Sequence, residues 1–142
     1  MDYLFDTNIL WRYLDQDETS HTAIKSGVDR IIQDGHKLHI TPQNLIEYHG
    51  VATRAIASNG LGMSVAEADL KAKQIESLFT MLEDCPAIYS HWRRIIGEYG
   101  VVSKQVHDAR LVAVMLTYGI THILTRNGAD FRRYHEITVV EV

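Results

Sequence analysis

The chain has 142 residues, of which 18 are acidic and 14 basic, and its net charge at neutral pH is −4. A chain of this length can bury a core of its own, so we expect a single domain spanning residues 1–142. The only cysteine, Cys85, excludes an internal disulfide and suggests a reducing, cytoplasmic location. No apolar run approaches the roughly 18 residues of a membrane helix. The N-terminal residues lack the basic stretch and apolar segment of a signal peptide.

The first strand is predicted at residues 3–5, a short apolar run that ends at Asp6. Thr7 and Asn8 interrupt the run, and a helix to about Leu14 follows. An acid between a buried first strand and a helix lies at the carboxyl edge of a parallel sheet, where ligands bind. A carboxylate buried there needs a partner, which can be a metal ion, an arginine or the following backbone amides. The alternative is that Asp6 only caps the helix.

Helices and strands then alternate along the first half of the chain. Ser20 is predicted to cap a second helix, which Gly35 ends, and a strand follows at residues 37–40. Thr41 is the predicted cap of a third helix, which has Pro42 at its first position and runs to about residue 57. A fourth helix is capped by Ser64. The buried sides of the second and fourth helices are expected to hold Ala23, Ile24, Val28, Ile31 and Ile32, and Ala68, Ile75, Leu78, Phe79 and Leu82, respectively.

The second half of the chain continues the alternation. Helices are predicted at about residues 88–99 and 105–118, strands at 122–125 and 137–140, and a turn at 127–130. The helix at 105–118 is apolar on nearly all sides and should be buried. Strands separated by helices indicate right-handed crossovers, so we expect a three-layer α/β/α fold with a central, mostly parallel sheet.

Three further acids lie where the pattern has no structural need for them. Glu47 lies in the first turns of a helix after a strand, Asp108 in the first turn of the apolar helix, and Asp130 in a turn after a strand. In a parallel sheet these points share one edge with Asp6. Four carboxylates there repel one another unless a cation intervenes, and oxygen ligands favour Mg²⁺ or Mn²⁺ over zinc. If a metal neutralises these four charges, the rest of the chain is neutral, so the net charge does not exclude a nucleic-acid partner.

Four segments carry these acids in order: LFDTN at residues 4–8, PQNLIE at 42–47, HDARLVA at 107–113 and LTRNGADF at 124–131. With them the chain resembles the PIN-domain ribonucleases, and in particular the VapC-like toxins of type II toxin–antitoxin systems. The resemblance implies that Asp6, Glu47 and Asp108 are catalytic and hold divalent metal, Mg²⁺ or Mn²⁺. Either Asn127 or Asp130 fills the fourth position, and we prefer Asp130.

The resemblance also implies supporting residues and a reaction. Thr7 and Asn8 are expected to hold the first acid through hydrogen bonds, and Thr125 and Asn127 to orient metal-bound water or substrate. Arg12 is the preferred candidate for a phosphate contact. The implied reaction is hydrolysis of RNA by water, which leaves a 5′-phosphate and a 3′-hydroxyl.

The expected partners are RNA, a cognate antitoxin and a second copy of the chain. An antitoxin could inhibit by placing an arginine or lysine among the carboxylates. A homodimer is expected because one domain of this size has difficulty burying all of its large apolar side chains, some of which should stay exposed. The residues concerned are Trp11, Tyr13, Phe79, Met81 and Trp92.

Other functions fit the sequence less well. In a metal-free histidine ribonuclease His49 would be a candidate, but it follows Glu47 by two positions and so points away from it on a helix. A phosphatase with an Asp nucleophile usually carries a second Asp two positions on, where this chain has Asn8. A catalytically inactive RNA-binding module would normally have lost an acid. The main alternative is a housekeeping RNA-processing PIN nuclease without an antitoxin.

Overall fold

The computed structural model describes residues 1–16 and 18–142; Asp17, in the loop predicted after the first helix, lies outside the described residues. The strands are β1 Asp2–Phe5, β2 Lys37–Ile40, β3 Thr80–Met81, β4 His122–Thr125 and β5 Thr138–Glu141. The helices are α1 Thr7–Leu14, α2 His21–Gln33, α3 Pro42–Thr53, α4 Val65–Leu78, α5 Pro86–Tyr99 and α6 Gln105–Tyr118. Short 3₁₀ turns lie at Ile56–Ser58 and Gly128–Asp130.

The strands form one sheet in the order β3-β2-β1-β4-β5, and each of these pairings is parallel. β1 lies at the centre, where Leu4 pairs with His39 of β2 and with Ile123 of β4. The predicted three-layer α/β/α fold is therefore confirmed. Because all strands run in one direction, the helices that follow them begin at the same edge of the sheet.

Side chains alternate between the two faces of the sheet, as the two-residue period of a strand requires. Tyr3 and Phe5 pack in the core under α1, α2, α3 and α4. Leu4 lies on the other face, in the core under α5 and α6. As predicted, α6 is deeply buried, and Leu111 and Met115 have no exposed surface.

Two of the predicted helix caps are present as reciprocal capping boxes. The Thr41 hydroxyl accepts from the Asn44 backbone N–H, and Asn44 Oδ1 accepts from the Thr41 backbone N–H at 2.9 Å. Ser64 and Glu67 make the same exchange at the start of α4. Each cap satisfies a backbone donor that the first helical turn leaves unpaired.

The predicted cap at Ser20 is wrong. Ser20 has helical backbone angles and makes no side-chain cap bond, although α2 does begin directly after it. Its hydroxyl instead accepts a hydrogen bond from Arg126 at 3.1 Å, and its backbone N–H donates to Glu18 Oε2 at 2.6 Å. The predicted packing of α2 is correct for Ile24, Val28 and Ile31 but wrong for Ala23 and Ile32, which are exposed.

The third helix ends four residues earlier than predicted, at Thr53. The following loop folds back and supplies N–H donors to the last turn: Leu61 donates to Val51 O and Met63 to Ala52 O. These contacts satisfy carbonyl groups that a longer helix would have bonded itself.

The fourth helix is also shorter than the apolar pattern predicted. It ends at Leu78, which is exposed, and Phe79 is extended. Thr80 and Met81 form the edge strand β3, which the sequence analysis missed because two residues are too few to show an alternating pattern. The buried positions of Phe79 and Leu82 therefore belong to the strand region. β5 begins at Thr138, one residue later than predicted.

The sequence predicted that some of five large apolar side chains would be exposed, and this prediction is wrong as well. Phe79 is buried, and Trp11, Tyr13, Met81 and Trp92 are partly buried against the two cores. Other large apolar side chains are exposed instead, and they include Ile46 on α3, Leu70 on α4 and Tyr89 on α5. Among the helices of the described residues, none is long and apolar enough to cross a membrane.

Candidate active site

Asp6 follows the last residue of β1 and occupies the cap position of α1, as the sequence predicted. It is buried, with 7% of its surface exposed. Its side chain makes no helix-capping hydrogen bond, so capping of α1 does not account for it. Instead, the Thr125 hydroxyl at the end of β4 donates to Asp6 Oδ2 at 2.7 Å.

The surroundings of Asp6 oppose its negative charge. Burial raises the pKa of the Asp6 carboxyl to about 6, because a charged group loses hydration there. The hydrogen bonds from the Thr125 hydroxyl and the Thr7 backbone lower the pKa, whereas the charges of Glu47 and Asp130 raise it. Both acids therefore act electrostatically on Asp6, as their predicted positions at one sheet edge require.

Glu47 lies in the second turn of α3 and is held by Gln43, one helical turn earlier. Gln43 Nε2 donates to Glu47 Oε1 and to the backbone carbonyl of His107, both at 2.7 Å. Arg110 donates to Gln43 Oε1 at 3.1 Å and forms an ion pair with Asp84, also at 3.1 Å. Gln43 therefore joins α3 to the first turn of α6 and fixes one oxygen of Glu47.

Asp108 lies in the first turn of α6, as predicted. Burial and then the charges of Asp6, Asp130 and Glu47 raise the pKa of its carboxyl to about 7. The guanidinium of Arg133 lowers the pKa, but does not offset the acids. A proton or another cation at Asp108 would relieve this repulsion.

Asp130 lies in the 3₁₀ turn after β4. The Asn127 side-chain amide donates to Asp130 Oδ2 at 2.9 Å, and the Asn127 backbone N–H donates to Thr125 Oγ1 at 2.9 Å. The loop is further held by Glu141 of β5, whose Oε1 accepts from the Gly128 backbone N–H at 2.7 Å. Asn127 therefore supports Asp130, and Asp130 is the member of the pair that lines the cavity described next.

A cavity of about 620 Å³ opens at this edge, with Glu47, Asp108 and Asp130 in its wall. Lys104 and Arg110 also line it. The donor set fits a hard divalent cation, because it consists of carboxylates whose mutual repulsion a cation would remove. As placed, no three His, Cys, Asp or Glu side chains of the described residues converge closely enough to hold an ion. Binding would therefore draw these side chains together.

The model of the PIN domain family matches residues 3–137. The chain belongs to the PIN domain family. The resemblance seen in the sequence is thereby confirmed. No curated protein matches the chain significantly by sequence.

Solved structures share the PIN fold across nearly the whole chain. VapBC2 from Rickettsia felis, bound to a DNA fragment from its promoter, is 13% identical with a TM-score of 0.75, and the match covers 100% of this chain and 99% of that chain. VapBC-1 from Haemophilus influenzae is 15% identical with a TM-score of 0.71, over 99% and 98%. VapC20 from Mycobacterium tuberculosis, a sarcin–ricin loop cleaving toxin, is 13% identical with a TM-score of 0.64, over 93% and 95%. At these identities the likeness shows the fold.

Two supporting residues of the PIN domain are used differently from expectation. The Thr7 hydroxyl accepts a hydrogen bond from Asn44 at 3.0 Å, and only the Thr7 backbone acts on Asp6. Asn8 Oδ1 accepts from the Arg126 backbone N–H at 3.4 Å. The side chain that holds the Asp6 carboxylate is Thr125, which was expected to orient water or substrate.

Arg12, the predicted phosphate contact, binds within the protein. Its guanidinium donates to the backbone carbonyl of Asn8 at 2.7 Å and lies 4.0 Å from the centre of the Trp11 ring. Arg12 is also 3.8 Å from Glu18. Its role in substrate binding stays a prediction, whereas Lys104 and Arg110 are the basic residues in the cavity wall.

Sequence reasoning missed Gln43, and it considered Arg133 only as a phosphate contact and not as a neighbour of Asp108. Gln43 stands four positions before Glu47, so both lie on one face of α3, and this spacing was a usable signal. Arg133 donates to Gln105 Oε1 at 2.5 Å and acts on Asp108 from the segment after the 3₁₀ turn. No local pattern connects Arg133 with Asp108, because their proximity depends on how the chain returns toward β5.

Proposed function

We propose that this PIN domain is a metal-dependent ribonuclease that hydrolyses RNA phosphodiester bonds and is the toxin of a toxin–antitoxin pair. The observation that carries the proposal is that Glu47, Asp108 and Asp130, from three separate elements, line one cavity of a PIN domain. Such a group of carboxylates is suited to hold a divalent cation beside a polyanionic substrate.

The metal would be held by Asp6, Glu47, Asp108 and Asp130, and its ligand oxygens favour Mg²⁺ or Mn²⁺. When bound, such an ion polarises the phosphate and activates water for attack. The chain's own side chains position the carboxylates. Thr125 fixes one oxygen of Asp6 and Gln43 one oxygen of Glu47.

The substrate backbone would enter through the cavity of about 620 Å³. Lys104 and Arg110 line this cavity and can contact phosphate groups next to the bond that is cleaved. Asn127 keeps Asp130 turned toward the cavity through the bond at 2.9 Å. These contacts orient the RNA without requiring a histidine as general base.

The metal requirement is tested by assaying purified protein on RNA in excess EDTA and after replacement of the metal. We expect cleavage to be absent in EDTA and restored by Mg²⁺ or Mn²⁺. The Asp108→Asn variant is the control for a contaminating nuclease and should stay inactive under both conditions. Full cleavage in EDTA would contradict the metal mechanism and favour a histidine mechanism.

The proposed antitoxin rests on the family and on the neighbours, several of which are VapBC complexes. We expect expression of the wild-type chain in a bacterial host to arrest growth, and the Asp6→Asn variant to permit it. Co-expression of the small protein encoded next to it should relieve the arrest. Equal growth with both chains, when cleavage is measurable in vitro, would favour the housekeeping nuclease without an antitoxin.

We also propose that the chain self-associates, through exposed side chains other than those predicted from the sequence. Exposed apolar side chains on α3 and α4, such as Ile46 and Leu70, would be covered in a dimer or by an antitoxin. Light scattering of the purified chain at several concentrations measures this directly. A monomer at every concentration would contradict the homodimer and leave the antitoxin as the partner for these side chains.

A further inference from the structure

A second depression lies between α5 and α6, next to the cavity that Glu47, Asp108 and Asp130 line, which we call the carboxylate cavity. Its volume is about 330 Å³, and its wall includes Tyr89, Trp92 and Val106. His107 and Arg110 line both this depression and the carboxylate cavity. The two depressions therefore share a wall near the start of α6, the helix that carries Asp108. The smaller volume suits a single planar group.

The wall of this depression presents an ordered aromatic pair. The rings of Tyr89 and Trp92 are stacked, with centroids 5.8 Å apart and planes at 26°. The Trp92 indole N–H donates to the backbone carbonyl of Val106 at 2.8 Å, which fixes the indole against α6. Tyr89 lies on the outer side with 59% of its surface exposed. The indole of Trp92 is thus fixed, and the exposed ring of Tyr89 beside it can accept another planar ring.

Positive groups surround the aromatic pair. The Arg93 guanidinium carbon lies 5.9 Å from the centre of the Tyr89 ring, and Arg110 stands between the depression and the carboxylates. Lys104 continues the positive side chains along the wall of the carboxylate cavity. Aromatic rings among cations are the combination with which proteins bind single-stranded nucleic acid. Arg110 shares its charge with Asp84, whereas Arg93 and Lys104 can meet the phosphate groups of a polyanion.

We propose that Tyr89 and Trp92 bind one unpaired nucleobase of the RNA substrate, next to the phosphodiester at the carboxylates. This proposal rests on the proposed ribonuclease function. Stacking against Tyr89 requires that the base has left its duplex, so the substrate is single-stranded at that nucleotide. Every base has a flat face, so the contact selects for an unpaired nucleotide and not for one sequence.

The proposal is tested by the affinity of the full chain for a fluorescein-labelled single-stranded RNA, measured by anisotropy in excess EDTA. We expect Tyr89→Ala to weaken binding by about 5- to 150-fold, the range for loss of one stacked base. Tyr89→Phe should bind like the wild type and Tyr89→Leu should bind weakly, because leucine is apolar but has no flat ring. Ile32→Ala, which alters an exposed apolar side chain on α2 in the opposite helical layer, should change nothing.

A second arm locates the base with a set of RNAs that each lack one base. The wild type should bind more weakly to the RNA that lacks the base at one particular position. The Tyr89→Ala variant should bind that RNA as tightly as it binds the complete RNA. Equal losses at every position, or wild-type affinity in Tyr89→Ala, would overturn the proposal. If light scattering shows that Tyr89→Ala turns a dimer into a monomer, the face joins two copies and the proposal is likewise overturned.

The two proposals fail separately. Wild-type protein that does not cleave RNA with Mg²⁺ or Mn²⁺ overturns the ribonuclease, whereas the binding arms in EDTA are read without any cleavage. If the wild type cleaves RNA and the Tyr89→Ala variant binds RNA as tightly as the wild type, only the base site is overturned.

Discussion

Thr125 donates a hydrogen bond to Asp6 at 2.7 Å although the two residues are 119 positions apart in the sequence. They meet because β4 pairs directly with β1, and each residue stands at the carboxyl end of its strand. This bond lowers the pKa of Asp6, against the effect of burial. Pairing of the two strands thus controls the protonation of the central acid of the site.

Replacing Thr125 by valine should therefore weaken catalysis through Asp6. The variant keeps the shape of the side chain but removes the hydroxyl, so the pKa of Asp6 rises further and less of it is ionised near neutral pH. We expect cleavage at pH 7 to fall by about 10- to 100-fold, as for other residues that support metal ligands. As the pH is raised, the cleavage rate of the variant should reach its plateau at a higher pH than that of the wild type. Thr125→Ser retains the hydroxyl and should keep the wild-type profile, and an unshifted profile in Thr125→Val would contradict the role of the bond.

The stability of the metal-free protein should depend on pH through Asp6 and Asp108. Their pKa values in the folded state are raised from 3.8 to about 6 and about 7. The folded state therefore binds these protons more tightly than the unfolded chain. The resulting stabilisation is fully present below about pH 4 and is lost as the pH rises through 6 to 7. We expect urea unfolding in EDTA to show this loss, and saturating Mg²⁺ to restore stability above pH 7.

The Asp108→Asn variant should lose less stability than the wild type as the pH rises, and it should not cleave RNA. We expect a higher Tm than the wild type in EDTA at pH 8, and a rate more than about 100-fold lower, because a ligand is lost and not only its support. Glu98→Gln removes a carboxylate that pairs with Arg94 at 2.7 Å on the surface of α5, and it should change neither quantity. A lower Tm for Asp108→Asn under these conditions would show that the carboxylate is stabilising.

Gln43 should be required for the position of Glu47. Gln43→Ala removes the contact at 2.7 Å and should lower cleavage by about 10- to 100-fold with the fold intact. Gln43→Glu should be worse at pH 7, because it places a second carboxylate against Glu47. Rates over a range of Mg²⁺ concentrations would show a higher metal requirement for both variants. Gln74→Ala, on the exposed side of α4, is the matched control. Wild-type metal dependence in Gln43→Ala would refute the role of this contact.

The fourth site position can be assigned by comparing Asp130→Ala with Asn127→Ala. Asp130 lines the cavity and acts on the pKa of both Asp6 and Asp108, whereas Asn127 donates to Asp130. We therefore expect the larger loss of cleavage and of Mg²⁺ affinity from Asp130→Ala, and about a 10-fold loss from Asn127→Ala. Calorimetric titration with Mg²⁺ gives the affinities independently of activity. The opposite order would assign the position to Asn127.

The layers of the fold and the edge that carries the acids were predictable from the sequence, because they depend on local periodicity and on the order of elements. Asp6, Glu47 and Asp108 each follow a strand or begin a helix, and parallel pairing brings such points together. The edge strand at Thr80 and Met81 was not predictable, since its extent is set by pairing with β2. Similarly, the hydrogen bond from Thr125 to Asp6 was not predictable, because the distance between these residues is set only when the strands are aligned.

The buried amide of Asn44 joins two parts of the site. Its Oδ1 accepts from the Thr41 backbone N–H, while its Nδ2 donates to the Phe5 carbonyl at 3.1 Å and to the Thr7 hydroxyl at 3.0 Å. The end of β1 and the first turn of α3 consequently separate only in a common opening event, and their amide hydrogens should exchange with solvent at a shared rate. Asp6 and the helix that carries Glu47 should thus be released together, so a fluctuation in this region removes two of the four acids in one step.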